Sequence, residues 1–400
     1  MLARLFARLF AAADPARTGP APLAPLPGRR AFIAYLTNVG TARFVVAGET
    51  LTSRQASVRL RQLVPIAELS RRLPVCLLPL DYLLTHPDLG CLGAPAALVI
   101  GKLSSDVVRE RQRDLARLVR WLETWASRVP VVADLSDDYA ALAAQQGVPF
   151  LAEFQAALAA HCRITVPCAA LAERIRPIAR RGVEIVEDPW ESPSQRAPAL
   201  PRTGPLRLCW FGYLGQAAFP AVREGFIQIA RRLERTPVEF EVVTAREFAG
   251  SVQALAEALA LERPAAGLRL REWSPEATWQ AIGDCDLVVL PQDHRSPWGV
   301  VKSHNRLVEA IRGGRVAVAS PIPSYRELAD YAWLGEDLGE GVAWALANPR
   351  EAVARVARGQ DYIQQRFAPE LIGRKWLQVL GVDAEIDASR RAPPARPTEP

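Results

Sequence analysis

Apolar residues along this chain fall into short, evenly spaced clusters separated by longer stretches in which they recur every three or four positions. In the first half the clusters are Ala31–Leu36, Val75–Leu80, Ala96–Ile100, Val131–Ala133, Arg163–Val166 and Val183–Val186. Runs of this length bounded by turn residues predict buried strands. Between them, Ser57–Leu73, Val107–Arg128, Tyr139–Gln146, Phe150–His161 and Cys168–Arg180 carry helical spacing. The second half repeats the scheme. Strands are predicted at Leu206–Phe211, Glu239–Val243, Leu268–Glu272, Leu287–Leu290 and Val316–Ala319, and helices at Ala221–Arg232, Ser251–Leu261, Pro275–Ile282 and Val301–Arg312. Strands alternating with helices imply a parallel sheet, so each half reads as a doubly wound α/β domain. Such sheets take ligands at the carboxyl ends of their strands, and two facing halves would place a site in the cleft between them.

Two stretches break the pattern. Asp14–Pro27 is rich in Pro, Ala and Gly, and Glu191–Pro205 holds prolines that continue neither a helix nor a central strand. The expected organisation is an N-terminal arm (1–28), a first domain (29–190), a linker (191–205), a second domain (206–380) and a disordered tail (381–400). A chain of 400 residues exceeds what one core usually supports. Half of it is hydrophobic and 23% is charged, which excludes a disordered or fibrous chain.

The net charge is +6 and nearly all of the basic charge is Arg, since only Lys102, Lys302 and Lys375 are lysines. The charge is spread and mixed with Asp and Glu, so an anionic partner fits but a nucleic acid does not. The six cysteines lack metal-ligand spacing and read as reduced core residues, which suits the cytoplasm. Met1–Phe10 spaces apolar residues around Arg4 and Arg8 as a short amphipathic helix would. It either docks on the protein or lies on an anionic membrane face, which would make the protein peripheral on the inner membrane.

Candidate chemistry concentrates between Asp284 and Leu328. The strand Leu287–Leu290 runs into a polar loop and then a helix with Lys302 in its expected first turn. A cation there opposes the helix dipole unless an anion sits at the helix end, so the position favours a phosphate ligand. On a helix, Lys302, Asn305, Arg306 and Glu309 share about a 100° arc. Such a face offers cations for a diphosphate and a carboxylate for ribose hydroxyls; the alternative is a solvated face with an Arg306–Glu309 pair. Gly212-Tyr213-Leu-Gly215 follows the first strand of the second half, where its amides could approach an anion or merely turn the chain. Ser320–Arg326, with Ser324 and Arg326, is either another ligand loop or plain turn chemistry.

Other segments are open in the same way. Asp134-Leu-Ser-Asp-Asp138 supplies Asp134 and Asp138 as a base or acceptor-binding carboxylates, or else caps a helix through Ser136 or Asp137. Thr37–Thr41 is an acceptor loop or a turn, and Arg59 and Arg61 lie near the cleft or on a solvated helix. Asp284-Cys-Asp286 precedes its strand and reads as a turn. With four scattered histidines, no metal site is expected.

The residues Asp286-Leu-Val-Val-Leu-Pro291, Trp298-Gly299, Leu307-Val-Glu-Ala-Ile-Arg-Gly-Gly314, Arg315–Ser320 and Tyr325-Arg-Glu-Leu328 resemble the donor domain of GT-B glycosyltransferases of the group 1, family 4 type. The resemblance is strongest over Leu206–Leu328. It implies two facing Rossmann-like domains with an interdomain cleft, a nucleotide-diphosphate-sugar donor and no separate cofactor. It places Glu309 on the ribose, Lys302 and Arg306 on the diphosphate, and Gly212 and Gly215 along the donor phosphates. Tyr213, Ser303, Asn305, Ser324 and Arg326 complete the expected donor-binding set. The family's first glutamate would fall near Val301, where no acid stands. Lys302-Ser-His-Asn-Arg306 takes that place, as in a variant subgroup with a Lys-Ser-x-Asn-Arg signature.

The expected function is therefore a metal-independent, hexosyltransferase-like enzyme in bacterial surface polysaccharide or glycoconjugate synthesis. Its acceptor would be a glycan, a lipid-linked sugar or a protein, and Lys302 and Arg306, with Asp134 and Asp138 on the acceptor side, would carry catalysis. The rivals are a GT-B nucleotide-sugar epimerase, a two-lobed small-molecule binding protein and an inactive scaffold of the same fold.

Overall fold

The computed structural model describes residues 21–26, 31–37, 41–49, 51–53, 55–202 and 204–382. The Met1–Phe10 helix, residues 38–40 of the Thr37–Thr41 loop and the tail from 383 onward lie outside the described residues.

The chain forms two compact units. One comprises residues up to Pro167, Leu171–Val186 and the chain from Pro369; the other comprises Cys168–Ala170 and Glu187–Ala368. In the first unit, strands β1 (Ala31–Thr37), β2 (Arg43–Val45), β3 (Val75–Pro79), β4 (Ala94–Ile100), β5 (Val131–Asp134), β6 (Arg163–Val166) and β7 (Val183–Ile185) form a sheet in the order β2-β3-β1-β4-β5-β6-β7. All pairs are parallel except β2 against β3.

In the second unit, β8 (Leu206–Phe211), β9 (Val238–Thr244), β10 (Gly267–Glu272), β11 (Leu287–Leu290), β12 (Val316–Ala319) and β13 (Trp333–Leu334) form a wholly parallel sheet in the order β10-β9-β8-β11-β12-β13. Counted from β8, that order is third, second, first, fourth, fifth, sixth. The direction of winding reverses between β8 and β11, and this reversal is where doubly wound sheets open a ligand crevice. β11 and β12 are buried along their whole length, as central strands covered on both faces must be. The edge strand β10 has no buried position, and only Leu268 and Arg271 are half-buried.

Short β2 and β13 carry too few residues for a legible pattern. The helix expected over Ser57–Leu73 is a composite of Ala56–Val58, a π-helical turn at Arg59–Leu63 and Val64–Leu69. The wide turn brings Arg59 and Arg61 inside, so neither lies on a solvated face. Among the described residues no helix is long and apolar enough to cross a membrane.

Two expected domain limits shift. Residues 191–202 do not hang between domains but run along the second unit, where Arg196 and Ala199 donate backbone hydrogen bonds to the carbonyls of Arg312 and Gly314 at 3.0 and 3.2 Å. The helix Pro369–Leu380 belongs to the first unit, not to a 206–380 domain. Its Ile372, Trp376 and Leu380 join Ile33, Tyr35, Val75 and Val99 in the core, and Trp376 is fully buried. Burial of an indole and its neighbours outweighs sequence proximity, so the chain returns to complete the core it began.

Replacing Trp376 with Ala should cost the first unit about 3–5 kcal/mol. In denaturant unfolding, the transition of that unit should move to lower concentration while that of the second unit stays in place.

Candidate functional site

The site assembles at the winding reversal of the second unit. β8 ends at Phe211, and Gly212 follows with φ of +145°, a conformation that L side chains rarely adopt. A Cβ there would stand 3.2 Å from Nη1 of Arg306. Arg306 lies in the helix Asn305–Arg312, which buries Leu307, Val308, Ala310 and Ile311 and turns Arg306 the other way. Its guanidinium reaches the Phe211 carbonyl at 3.5 Å and stands 5.9 Å from the Trp210 ring. The strand-end glycine and the helix cation therefore meet, although 94 residues separate them.

Lys302 is placed differently from the sequence expectation. A 3-10 turn at Gly299–Val301 closes first, Lys302 is extended, and the helix starts only at Asn305. Gly299 makes this turn fit, because a Cβ there would stand 1.8 Å from the Asp293 carbonyl oxygen. Lys302 Nζ sits 3.5 Å from the centre of the Trp298 ring, a cation–π contact. The short helix Pro323–Arg326 lies beside both cations: Ser324 donates its hydroxyl to the Lys302 carbonyl at 2.6 Å, and Arg306 is close enough to the buried Tyr325 to affect its phenol. Burial pushes the Tyr325 phenol up while Arg306 pulls it down.

The remaining expected residues divide. Tyr213 is 67% exposed and meets Phe248 edge to face at 4.6 Å; its ring lies over Gly215, whose carbonyl accepts from Ala218 and Phe219 and starts the next helix. Ser303 donates to Asp188 at 2.5 Å, Arg326 is exposed, and Asn305 Nδ2 is buried without a hydrogen-bond partner. Glu309 leaves the group expected around the ribose. It is buried, and its Oε1 accepts the Glu191 backbone N–H at 2.7 Å while Oε2 is enclosed without a partner. Desolvation raises its pKa to about 7. No oxygen of this carboxyl is open to a ligand, so the expected polar arc splits, with Arg306 toward β8 and Glu309 toward residues 191–192.

In the first unit, Asp134 and Asp138 are both engaged. The Arg61 fork grips Asp134 at 2.5 and 3.1 Å, Thr165 donates to it at 2.8 Å, and the side chains of the pair are essentially inaccessible. Arg61 also reaches the Val186 carbonyl. A carboxylate so enclosed maintains the end of β5 and does not meet an acceptor; removing either partner would strand a buried charge. Asp138 caps the helix Tyr139–Gln146, accepting from Ala140 and Ala141 at 3.1 and 3.2 Å. The cap falls one residue beyond the Ser136 or Asp137 expected, and Asp137 pairs with Lys102 at 2.6 Å. Five cysteines are buried and Cys91 is exposed; all six are free. Among the described residues no three His, Cys, Asp or Glu side chains gather as metal ligands would.

Solved structures share this fold. HepE of Anabaena, in complex with UDP-glucose, aligns at a TM-score of 0.58 with 14% identity over 88% of this chain and 99% of its own. WaaG, a glycosyltransferase involved in lipopolysaccharide biosynthesis, aligns at 0.58 with 14% identity over 87% and 100%. The chain has the GT-B fold. A third GT-B structure, S. aureus TarM in complex with Fondaparinux, alpha-GlcNAc-glycerol and UDP, aligns at 0.53 with 13% identity over 71% of this chain; the match spans about half (55%) of the TarM chain. No family model matches, and no curated protein matches by sequence. The GT-B assignment thus rests on architecture, and the chemistry of the site on the residues themselves.

Burial makes Glu309 a pH-dependent load. Its folded pKa of about 7 lies above the usual 4.5, so its contribution to stability is fully present below pH ~4.5 and is lost as pH rises through ~7. Glu309→Gln should remove this slope and raise stability at pH 8 by on the order of a few kcal/mol, as read by denaturant titrations from pH 4.5 to 8.

Proposed function

We propose that this chain is a glycosyltransferase that takes a sugar from a nucleoside-diphosphate donor, with Lys302 and Arg306 neutralising the diphosphate. The observation that carries this reading is that Arg306, from the segment after β11, reaches the end of β8 beside Gly212, while Lys302 of the same segment rests on the Trp298 ring. Breaking a glycosidic bond leaves the developing charge on the departing diphosphate, and fixed cations beside a helix N-terminus stabilise that charge. In this reading the cations do what a divalent ion does elsewhere, and no separate cofactor is required. The Gly212–Gly215 turn lines the phosphates with backbone, and Tyr213 and Ser324 flank them.

The GT-B fold, shared with HepE in complex with UDP-glucose and with WaaG, supports a sugar donor and an acceptor that is a glycan or a lipid-linked sugar. Asp134 and Asp138 are not assigned to the reaction, because Arg61 and Thr165 hold Asp134 and Asp138 caps a helix.

Thermal unfolding against UDP, GDP, CDP, dTDP, ADP and CMP tests the donor site. A diphosphate at 100 times its Kd should stabilise the protein by about 2.7 kcal/mol, and Lys302→Ala and Arg306→Ala should each abolish most of the shift. No shift with any nucleotide would refute the reading. Release of nucleotide from the donor without an added acceptor would point instead to an epimerase, and binding without turnover to a binding protein or scaffold.

A further inference from the structure

The four residues Val301–His304 carry Lys302 between a 3-10 turn and a helix, with extended backbone at Lys302 itself. Such a strap has no hydrogen-bond ladder of its own, so its shape is fixed by what grips it. All four residues are gripped. The Cys168 thiol donates to the Val301 carbonyl at 3.4 Å, Ser324 to the Lys302 carbonyl at 2.6 Å, and the Ser303 hydroxyl to Asp188 at 2.5 Å. His304 Nε2 stands 3.2 Å from Glu327 Oε2, an ion pair when the imidazole is protonated and without the alignment of a hydrogen bond.

The contact at His304 continues into a wider network. The same oxygen of Glu327 accepts from Arg366 at 2.6 Å, and Arg366 Nε continues to Glu187 at 3.1 Å. The Tyr362 hydroxyl holds the guanidinium at 2.7 Å, and the Phe367 ring lies 5.3 Å from the imidazole of His304. Glu327 is 29% exposed at its side chain. Burial alone would raise its pKa, yet His304 and Arg366 hold it at about 2, so the carboxylate stays charged at any working pH. An exposed pair between two long side chains would contribute little. Here one oxygen joins a buried imidazole to a guanidinium fixed at three points, and the network spends its rigidity on the strap.

We propose that Glu327 is a positioning residue for Lys302: by bridging His304 and Arg366 it holds the Val301–His304 strap in the shape that presents the Lys302 ammonium to an anionic donor group. This rests on the reading of Lys302 as a diphosphate cation. Glu327 does not touch the ligand; it acts through Lys302, as outer partners orient the groups that bind.

The test is a double-mutant cycle read as affinity for the diphosphate among UDP, GDP, CDP, dTDP and ADP that gives the largest thermal shift. Glu327→Gln keeps the size of the side chain and removes its charge. It should weaken binding about tenfold in the wild-type background and less than about twofold in the Lys302→Ala background, because contacting residues couple and a residue acting through Lys302 has nothing left to position. Amide exchange at residues 300–304 of the ligand-free chain should rise at least about tenfold in the same variant. Should that variant fail to fold, Arg366→Lys keeps the charge but not the fork and gives the same cycle. Equal losses in both backgrounds, or unchanged affinity and exchange, would overturn the proposal. Binding that depends on Lys302 but not on Glu327 would overturn it alone, whereas a wild type that binds none of the five would overturn the functional reading and the proposal with it.

Discussion

A parallel strand can be followed by its parallel neighbour only if the chain crosses back over the sheet, and every such crossing leaves from the same edge. Everything distinctive in the second unit follows from that constraint. The loops after β8, β11 and β12 must all emerge on the carboxyl edge, and where winding reverses between β8 and β11 the crossings diverge and leave a gap. Gly212, Lys302, Arg306, Ser324 and Tyr325 come from three separate loops or helix starts, yet this edge is the one place where topology can gather them. The chemistry therefore lies mainly in loops whose positions are dictated by the strands, with Trp210 of β8 the strand side chain described beside it.

The sheet also explains why so many polar residues are engaged in structure. Arg61 and Asp134 satisfy each other at the end of β5, Asp138 caps a helix, and Asp286 accepts from the backbone of Arg202 and Arg207 beside the start of β8. A polar group at a strand terminus is desolvated whether or not it meets a ligand, and the cheapest remedy is a neighbour in the same protein.

Much of this was legible in the sequence. The strands Leu206–Phe211, Leu287–Leu290 and Val316–Ala319 were evident from continuous apolar runs, and the match extends to the residue at both ends. Lys302, Arg306 and the Gly212 turn stood out because a cation at a helix start and a glycine after a buried strand are locally unusual. What escaped depends on distance in the chain. Nothing near Lys302 signals that a 3-10 turn intervenes, since it is imposed by the close approach of Gly299 to Asp293. Nothing near Glu309 reveals that residues 191–192 will cover it, and helical spacing alone put it on the same face as Arg306. Asp188, Glu327 and Arg366 lie 115, 24 and 63 residues from Ser303, and no periodicity links them. Trp298 and Tyr325 sat within familiar motifs, where their roles as a seat for an ammonium and a neighbour of a guanidinium were not visible.

The return of the chain at Pro369 has a consequence for how the protein is made. The core of the first unit lacks Ile372, Trp376 and Leu380 until the chain beyond Ala368 has been made. The residues of the second unit, Glu187–Ala368 with Cys168–Ala170, are all present before that point. Domains fold as units once their residues have emerged, so during synthesis the unit whose strands are made first is the one whose core is filled second, when the Pro369–Leu380 helix arrives.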